Sequence, residues 1–147
     1  MEDHLEQLYQ DIILDHSKRP RHEHELNPCT GRAEGYNPIC GDKVTVFVRL
    51  ADGKISEASF IGEGCAISRA SASIMTTLLA GLTPEQAHAK AKEIYDLLTQ
   101  AEDPVVDLME TGEIAALAGV RKFPARIKCA TLAWHALEDA LTGDPTT

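Results

Sequence analysis

The sequence predicts an α+β domain in which a small antiparallel β-sheet packs against several helices. Three observations predict it. Apolar residues recur with helical spacing near both ends of the chain. A run over residues 44–61 alternates with the period of a strand and is interrupted by an Asp-Gly dipeptide. The elements then follow in the order helix, sheet, helices. At 147 residues the chain reads as one domain, residues 1–147, able to bury a single core without disulfides.

Each element has a local reason. Over residues 2–18, Leu5, Leu8, Tyr9, Ile12 and Ile13 share one helical face, and Pro20 stops the helix after Lys18 and Arg19. Residues 20–42 are rich in proline and glycine and read as loop, with a short strand near Arg32–Tyr36. Val44, Val46, Val48 and Leu50 alternate with Thr45, Phe47 and Arg49; Asp52-Gly53 turns the chain, and Ile55–Ile61 returns. Gly62-Glu63-Gly64 breaks this strand. Ile67–Ala80 is rich in small residues, which suits a helix packed closely on a neighbour. Thr83-Pro84-Glu85-Gln86 carries a cap, a first-turn proline and a capping-box glutamine, opening a helix to about Gln100. Asp103–Ala118 reads as one or two short helices. The last helix starts at Pro124, buries Ala130, Trp134, Leu137 and Leu141, and ends at Gly143 and Pro145.

Composition narrows the function. The chain is 44% hydrophobic and 25% charged, which excludes wholesale disorder. Its net charge of −9, from 14 Lys+Arg against 23 Asp+Glu, makes nucleic acid an unsuitable partner. No apolar run reaches the ~18 residues that cross a bilayer. Glu2 and Asp3 stand where a signal peptide carries basic residues, so the expected location is cytoplasmic, with no membrane association.

The chemistry lies in the cysteines. Cys29, Cys40, Cys65 and Cys129 are expected as thiols in a reducing compartment, which raises metal binding or thiol chemistry. Cys40 lies between Asn37-Pro38-Ile39 and Gly41-Asp42; Cys65 follows Gly62-Glu63-Gly64 at a strand-to-helix junction; Cys129 falls in the first turns of the last helix. Ends of elements let side chains converge on one point. No C-x-x-C pair is present, so spacing alone leaves both a metal site and buried inert thiols open. An extended Cys40-Gly41-Asp42 segment points Cys40 and Asp42 to the same side, although a turn or cap is the commoner fate of such an aspartate. Cys40, Asp42, Cys65 and Cys129 together form a three-sulfur, one-oxygen set suited to tetrahedral zinc. Their charge outweighs that of one Zn²⁺. Arg121, Lys122, Arg126 and Lys128 precede Cys129 and read either as a solvated helix start or as compensating charge, with Arg126 able to hydrogen-bond a carboxylate or thiolate. The oxygen ligand is the most easily displaced, and a thiolate released from such a site is a nucleophile.

Asn37-Pro38-Ile39-Cys40-Gly41-Asp42, Gly62-Glu63-Gly64-Cys65-Ala66-Ile67-Ser68 and Lys122-Phe123-Pro124-Ala125-Arg126-Ile127-Lys128-Cys129 resemble the three cysteine motifs of the IscU/NifU-like iron–sulfur assembly family. The resemblance covers nearly the whole chain, including Tyr9, Asp15-His16 and Ala70-Ser71-Ala72-Ser73. Lys128 stands where IscU-type scaffolds usually have His, and an extra stretch runs from about Asp103 to Val120; both features are similar to the SufU subgroup. The resemblance implies an IscU/SufE-like fold and a zinc-bound sulfur acceptor. Its implied partners are a SufS-type cysteine desulfurase and downstream iron–sulfur scaffold proteins. It implies that Cys40, Asp42, Cys65 and Cys129 hold the zinc, that Cys40 accepts persulfide sulfur, and that Arg126 supports Asp42 or the freed thiolate. The protein would then act as a sulfurtransferase-like partner rather than an autonomous enzyme. The alternative is an IscU-like scaffold, whose same ligands carry a transient [2Fe–2S] cluster. Cys29 matches no motif and reads as an incidental loop residue. His22 and His24 read as solvated, and His4, His16, His88 and His135 as lying on helix surfaces or ends. Trp134 reads as core, and the acidic run from Glu102 to Glu113 as a solvated face.

Overall fold

Helix α1 (Glu2–Lys18) buries Tyr9 on the face its spacing predicts, with Ile12 and Ile13 packed against the core. A computed structural model describes residues 2–38, 41–99 and 112–141 of the chain. Strands β1 (Gly31–Asn37), β2 (Asp42–Ala51) and β3 (Lys54–Glu63) form an antiparallel sheet in the order β1-β2-β3. Asp52 and Gly53 both take positive φ, 55° and 77°, the conformation that a two-residue hairpin turn requires. Val44, Val46 and Val48 point into the core, as the alternation predicts. The other face is not bare either: Phe47 is buried there, with the Arg32 guanidinium 5.5 Å from its ring centroid.

Helices α2 (Ala66–Leu79) and α3 (Pro84–Thr99), a 3₁₀ segment (Gly112–Lys122) and helix α4 (Pro124–Leu141) complete the fold. The architecture is therefore the expected α+β arrangement. The small residues of α2 serve close packing on α4. Ser71 Oγ donates to the Ala130 carbonyl and accepts the Trp134 indole N–H at 3.1 Å, so the buried tryptophan has its polar atom satisfied. The 3₁₀ segment gives the one described part of the Asp103–Ala118 region; residues 103–111 lie outside the described residues, as do Gly143 and Pro145.

The α3 start is a reciprocal capping box. The Gln86 side chain accepts from the Thr83 N–H at 2.9 Å, and Thr83 Oγ1 accepts from the Gln86 N–H at 3.2 Å. Replacing Thr83 with Ala is expected to lower stability by about 1 kcal/mol, read as a shift of the denaturant midpoint with an unchanged slope. Farther along, Tyr95 donates to the Glu138 carboxylate, which also pairs with His88 at 3.0 Å, while the Tyr95 and His135 rings stack at 4.6 Å. Burial and the Glu138 carboxylate push the Tyr95 hydroxyl well above the usual tyrosine range. Burial works to raise the Glu138 carboxyl, but the hydrogen bonds from Tyr95 and His88 outweigh it and hold it below its ordinary value. This clasp ties α3 to α4.

One histidine departs from its expected place. His16, expected at a helix surface or end, is 1% exposed, with Nδ1 2.7 Å from the Ser73 hydroxyl. Polarity alone points His to solvent. Here α2 supplies a polar partner 57 residues away, which removes the penalty for burying the ring.

The position of α4 matters most for the site. A Cβ at Gly31 would strike the Ala140 carbonyl, and one at Gly35 would lie 3.0 Å from Leu132 Cδ1. Two bare positions on β1 thus let the helix lie close on the strand and run antiparallel to it. Continuing that alignment along both backbones carries Asn37, the last residue of β1, to the level of Cys129 in α4.

Candidate metal centre

The β1–β2 connection and the exit from β3 into α2 lie at the same end of the sheet. The β1–β2 ladder closes with Asn37 opposite Asp42, and the β2–β3 ladder ends with Lys43 opposite Glu63. The residues after β3 therefore return beside Asp42. Asp42 is fully buried, and its Oδ1 accepts the Cys65 backbone N–H at 2.9 Å. Cys65 is the N-cap of α2, and its Sγ accepts the Ser68 N–H at 3.5 Å. Cys129, in the second turn of α4, is fully buried.

The donor atoms of Asp42, Cys65 and Cys129 all lie within 4.8 Å of one another. Among the described residues this is the one such cluster of His, Cys, Asp or Glu. Asp42 Oδ2 lies 4.0 Å from Cys65 Sγ. Bonds of about 2.0 Å to oxygen and about 2.3 Å to sulfur set the donors of one zinc ion roughly 3.5–4 Å apart. The arrangement thus needs to contract by about 1 Å at most to close on an ion. The chemistry fits as well. A carboxylate at zero exposure whose second oxygen faces a thiol is poorly satisfied by a weak S–H donor, and a divalent cation offsets the cost of burying its charge.

Of the residues singled out by sequence, Asp42, Cys65 and Cys129 are brought together. Cys40 lies outside the described residues, as does Ile39. Cys29 is half-buried and takes no part in the cluster. Arg126 and Lys128 are exposed on the first turns of α4, and His22 and His24 are exposed as expected.

Two further residues shape the site. Gly64 is one: a Cβ there would collide with Asp42 Oδ1. Asn37 is the other: it is 6% exposed, and its Nδ2 donates toward Cys129 Sγ at 4.0 Å. The glycine beside Cys65 was legible as a break in β3, but its close approach to Asp42 depends on the sheet register. No local signal in the sequence pairs Asn37 with Cys129, 92 residues on.

The fold and this cluster define an α+β protein with a buried, two-thiol, one-carboxylate centre at the end of a three-stranded sheet. Residues 8–141 match the NifU-like N terminal domain, and the chain belongs to that family. It is 45% identical over 135 residues to the zinc-dependent sulfurtransferase SufU of Bacillus subtilis (strain 168), covering 91% of this chain and 89% of that protein. It is 42% identical over 137 residues to the iron-sulfur cluster assembly scaffold protein IscU of Streptococcus pyogenes serotype M1, covering 93% and 84%. Among solved structures, it superposes with a TM-score of 0.81 and 32% identity on a protein of Fervidobacterium islandicum AW-1, covering 92% of this chain and 97% of the other. That structure is described provisionally as an iron-sulfur cluster assembly scaffold for the SUF system. The family resemblance and the fold expected from the three cysteine motifs are thereby borne out. Among the described residues no helix is long and apolar enough to cross a membrane.

Proposed function

We propose that this chain is a zinc-dependent sulfur acceptor in iron–sulfur cluster assembly, taking persulfide sulfur from a SufS-type cysteine desulfurase onto Cys40. The observation that carries the reading is the buried Asp42 carboxylate held between Cys65 and Cys129. Closed structural zinc sites use Cys and His, whereas a carboxylate ligand favours a site that opens. The 45% identity to a zinc-dependent sulfurtransferase supports the same choice.

Asp42, Cys65, Cys129 and Cys40 would hold the ion, which would stabilise the thiolates and shield them from oxidation while at rest. The steps belong to the chain's own residues. Asp42 is held by the Cys65 amide, so one carboxylate oxygen stays committed to the backbone while the other faces the sulfurs. The Cys40 thiolate attacks the outer sulfur of the donor cysteine persulfide. A new S–S bond forms on Cys40, the donor's S–S bond breaks, and the donor cysteine leaves as a thiolate. The exchange is neutral in electrons and needs no further oxidant. Arg126 and Lys128 supply positive charge at the start of α4, offsetting the excess negative charge of the donors.

A second reading is carried by the 42% identity to an IscU scaffold: the same side chains would receive iron and sulfide and hold a [2Fe–2S] cluster as cargo. One experiment separates the two. Alanine release by a SufS-type desulfurase is measured with and without this protein, alongside the metal content of protein purified without reconstitution. Sulfur acceptance gives one tightly held zinc per chain and a rise in alanine release above the desulfurase's basal rate. Unchanged release with a visible chromophore that passes to an apo-ferredoxin gives the second reading and ends the first.

A further inference from the structure

We infer that Asn37 is a positioning residue of the metal centre, and that its side-chain N–H donates to the Cys129 sulfur to set how strongly that sulfur binds the ion. The inference rests on the zinc reading above. Asn37 Nδ2 points at Cys129 Sγ from 4.0 Å, the long end of an N–H···S contact, and both residues are buried. Two independent features hold the pair together. The β1–β2 register sets Asn37 directly opposite the ligand Asp42. The Gly31 and Gly35 approach draws α4 onto β1 so that Cys129 falls at the strand's end. Asn37 thus sits behind one ligand through the ladder and behind another through its side chain.

The physical role follows from charge. A site of several thiolates and a carboxylate carries more negative charge than one divalent ion cancels. An amide N–H directed at a thiolate draws electron density from the sulfur and stabilises its anionic form without bringing a full charge into the interior. Asn serves where Lys or Arg would need solvent, and where Asp would add to the repulsion. Partners of this kind behind metal ligands change affinity by about 10–100-fold when removed.

The test uses Asn37→Leu, close in volume but without a donor, and Asn37→Ser, polar but too short to reach Cys129. Zinc affinity is measured by competition with a chromogenic chelator, and Co²⁺ is loaded as a spectroscopic probe. Both variants are expected to bind zinc about tenfold more weakly. Their sulfur-to-cobalt charge-transfer band is expected at lower energy, because a thiolate that loses an N–H donor gives up its electron more readily. Loss of affinity through disturbed packing alone would leave the band in place, and that result overturns the inference. Unchanged affinity and band in either variant overturns it too. Circular dichroism of each variant with chelator present reports folding, and Asn37→Ser carries the test if the leucine variant does not fold. Wild-type protein that holds neither zinc nor Co²⁺ would sink the zinc reading itself, a result distinct from a failure confined to the Asn37 variants.

Discussion

Cys40→Ala is expected to abolish sulfur acceptance: alanine release by the desulfurase falls to its basal rate, and the mass increment of one sulfur disappears from the protein. The expectation follows from which thiols are usable. Cys129 is fully buried on α4 beneath β1, so no partner cysteine reaches its sulfur without moving a helix. Cys65 is half-buried and committed at the head of α2, where its sulfur accepts the Ser68 N–H and its backbone N–H holds Asp42. Cys40 belongs to the short connection between Asn37 and Asp42, whose flanking residues Pro38 and Gly41 are exposed. Cys29→Ala serves as the control and is expected to leave both readouts unchanged, since Cys29 takes no part in the donor cluster. Cys40→Ala keeps three donors, so zinc is retained at reduced affinity while acceptance is lost. Full acceptance by Cys40→Ala would transfer the role to another thiol and end the assignment.

What the sequence could show and what it could not divide along physical lines. Period-two alternation places Val44, Val46 and Val48 inward, and that needs no tertiary knowledge because a pleat alternates by geometry. The Thr83–Gln86 box is equally local. The three motif cysteines were legible as candidates because glycine and proline mark the ends of elements. Sequence raised a shared site only as one of two open readings; that Asp42, Cys65 and Cys129 meet depends on the β-register and on α4 lying along β1. His16 shows the limit most plainly. Nothing in its local sequence calls for burial; Ser73, brought by the packing of α2 on α1, helps make the interior tolerable. The contacts of Asn37 with Cys129 and of Gly64 with Asp42 were hidden for the same reason: each acts on a residue that the fold, and not the chain, makes a neighbour.

Gly64→Ala is expected to weaken zinc binding on the order of 100-fold, as much as the loss of a residue that orients a ligand. The added methyl would meet Asp42 Oδ1 and lie 3.0 Å from its Cγ and 3.2 Å from its Cα. Asp42 has no open side to yield toward: it is fully buried, and the same Oδ1 accepts the Cys65 N–H at 2.9 Å. Relief therefore comes by turning the carboxylate away, which gives up the Cys65 hydrogen bond and moves the oxygen donor from the sulfurs. Overpacking of this kind also costs about 1–3 kcal/mol of stability, so affinity and unfolding midpoint are measured together. Gly119→Ala, where an added Cβ meets nothing within 4 Å, is the control and is expected to leave affinity unchanged. A double-mutant cycle then isolates the route. In an Asp42→Ala background, where the carboxylate is already gone, Gly64→Ala is expected to cost no further affinity, because the two substitutions remove the same donor. Additive losses would mean that Gly64 acts through the start of α2 instead, and the collision with Asp42 would not be what requires glycine there.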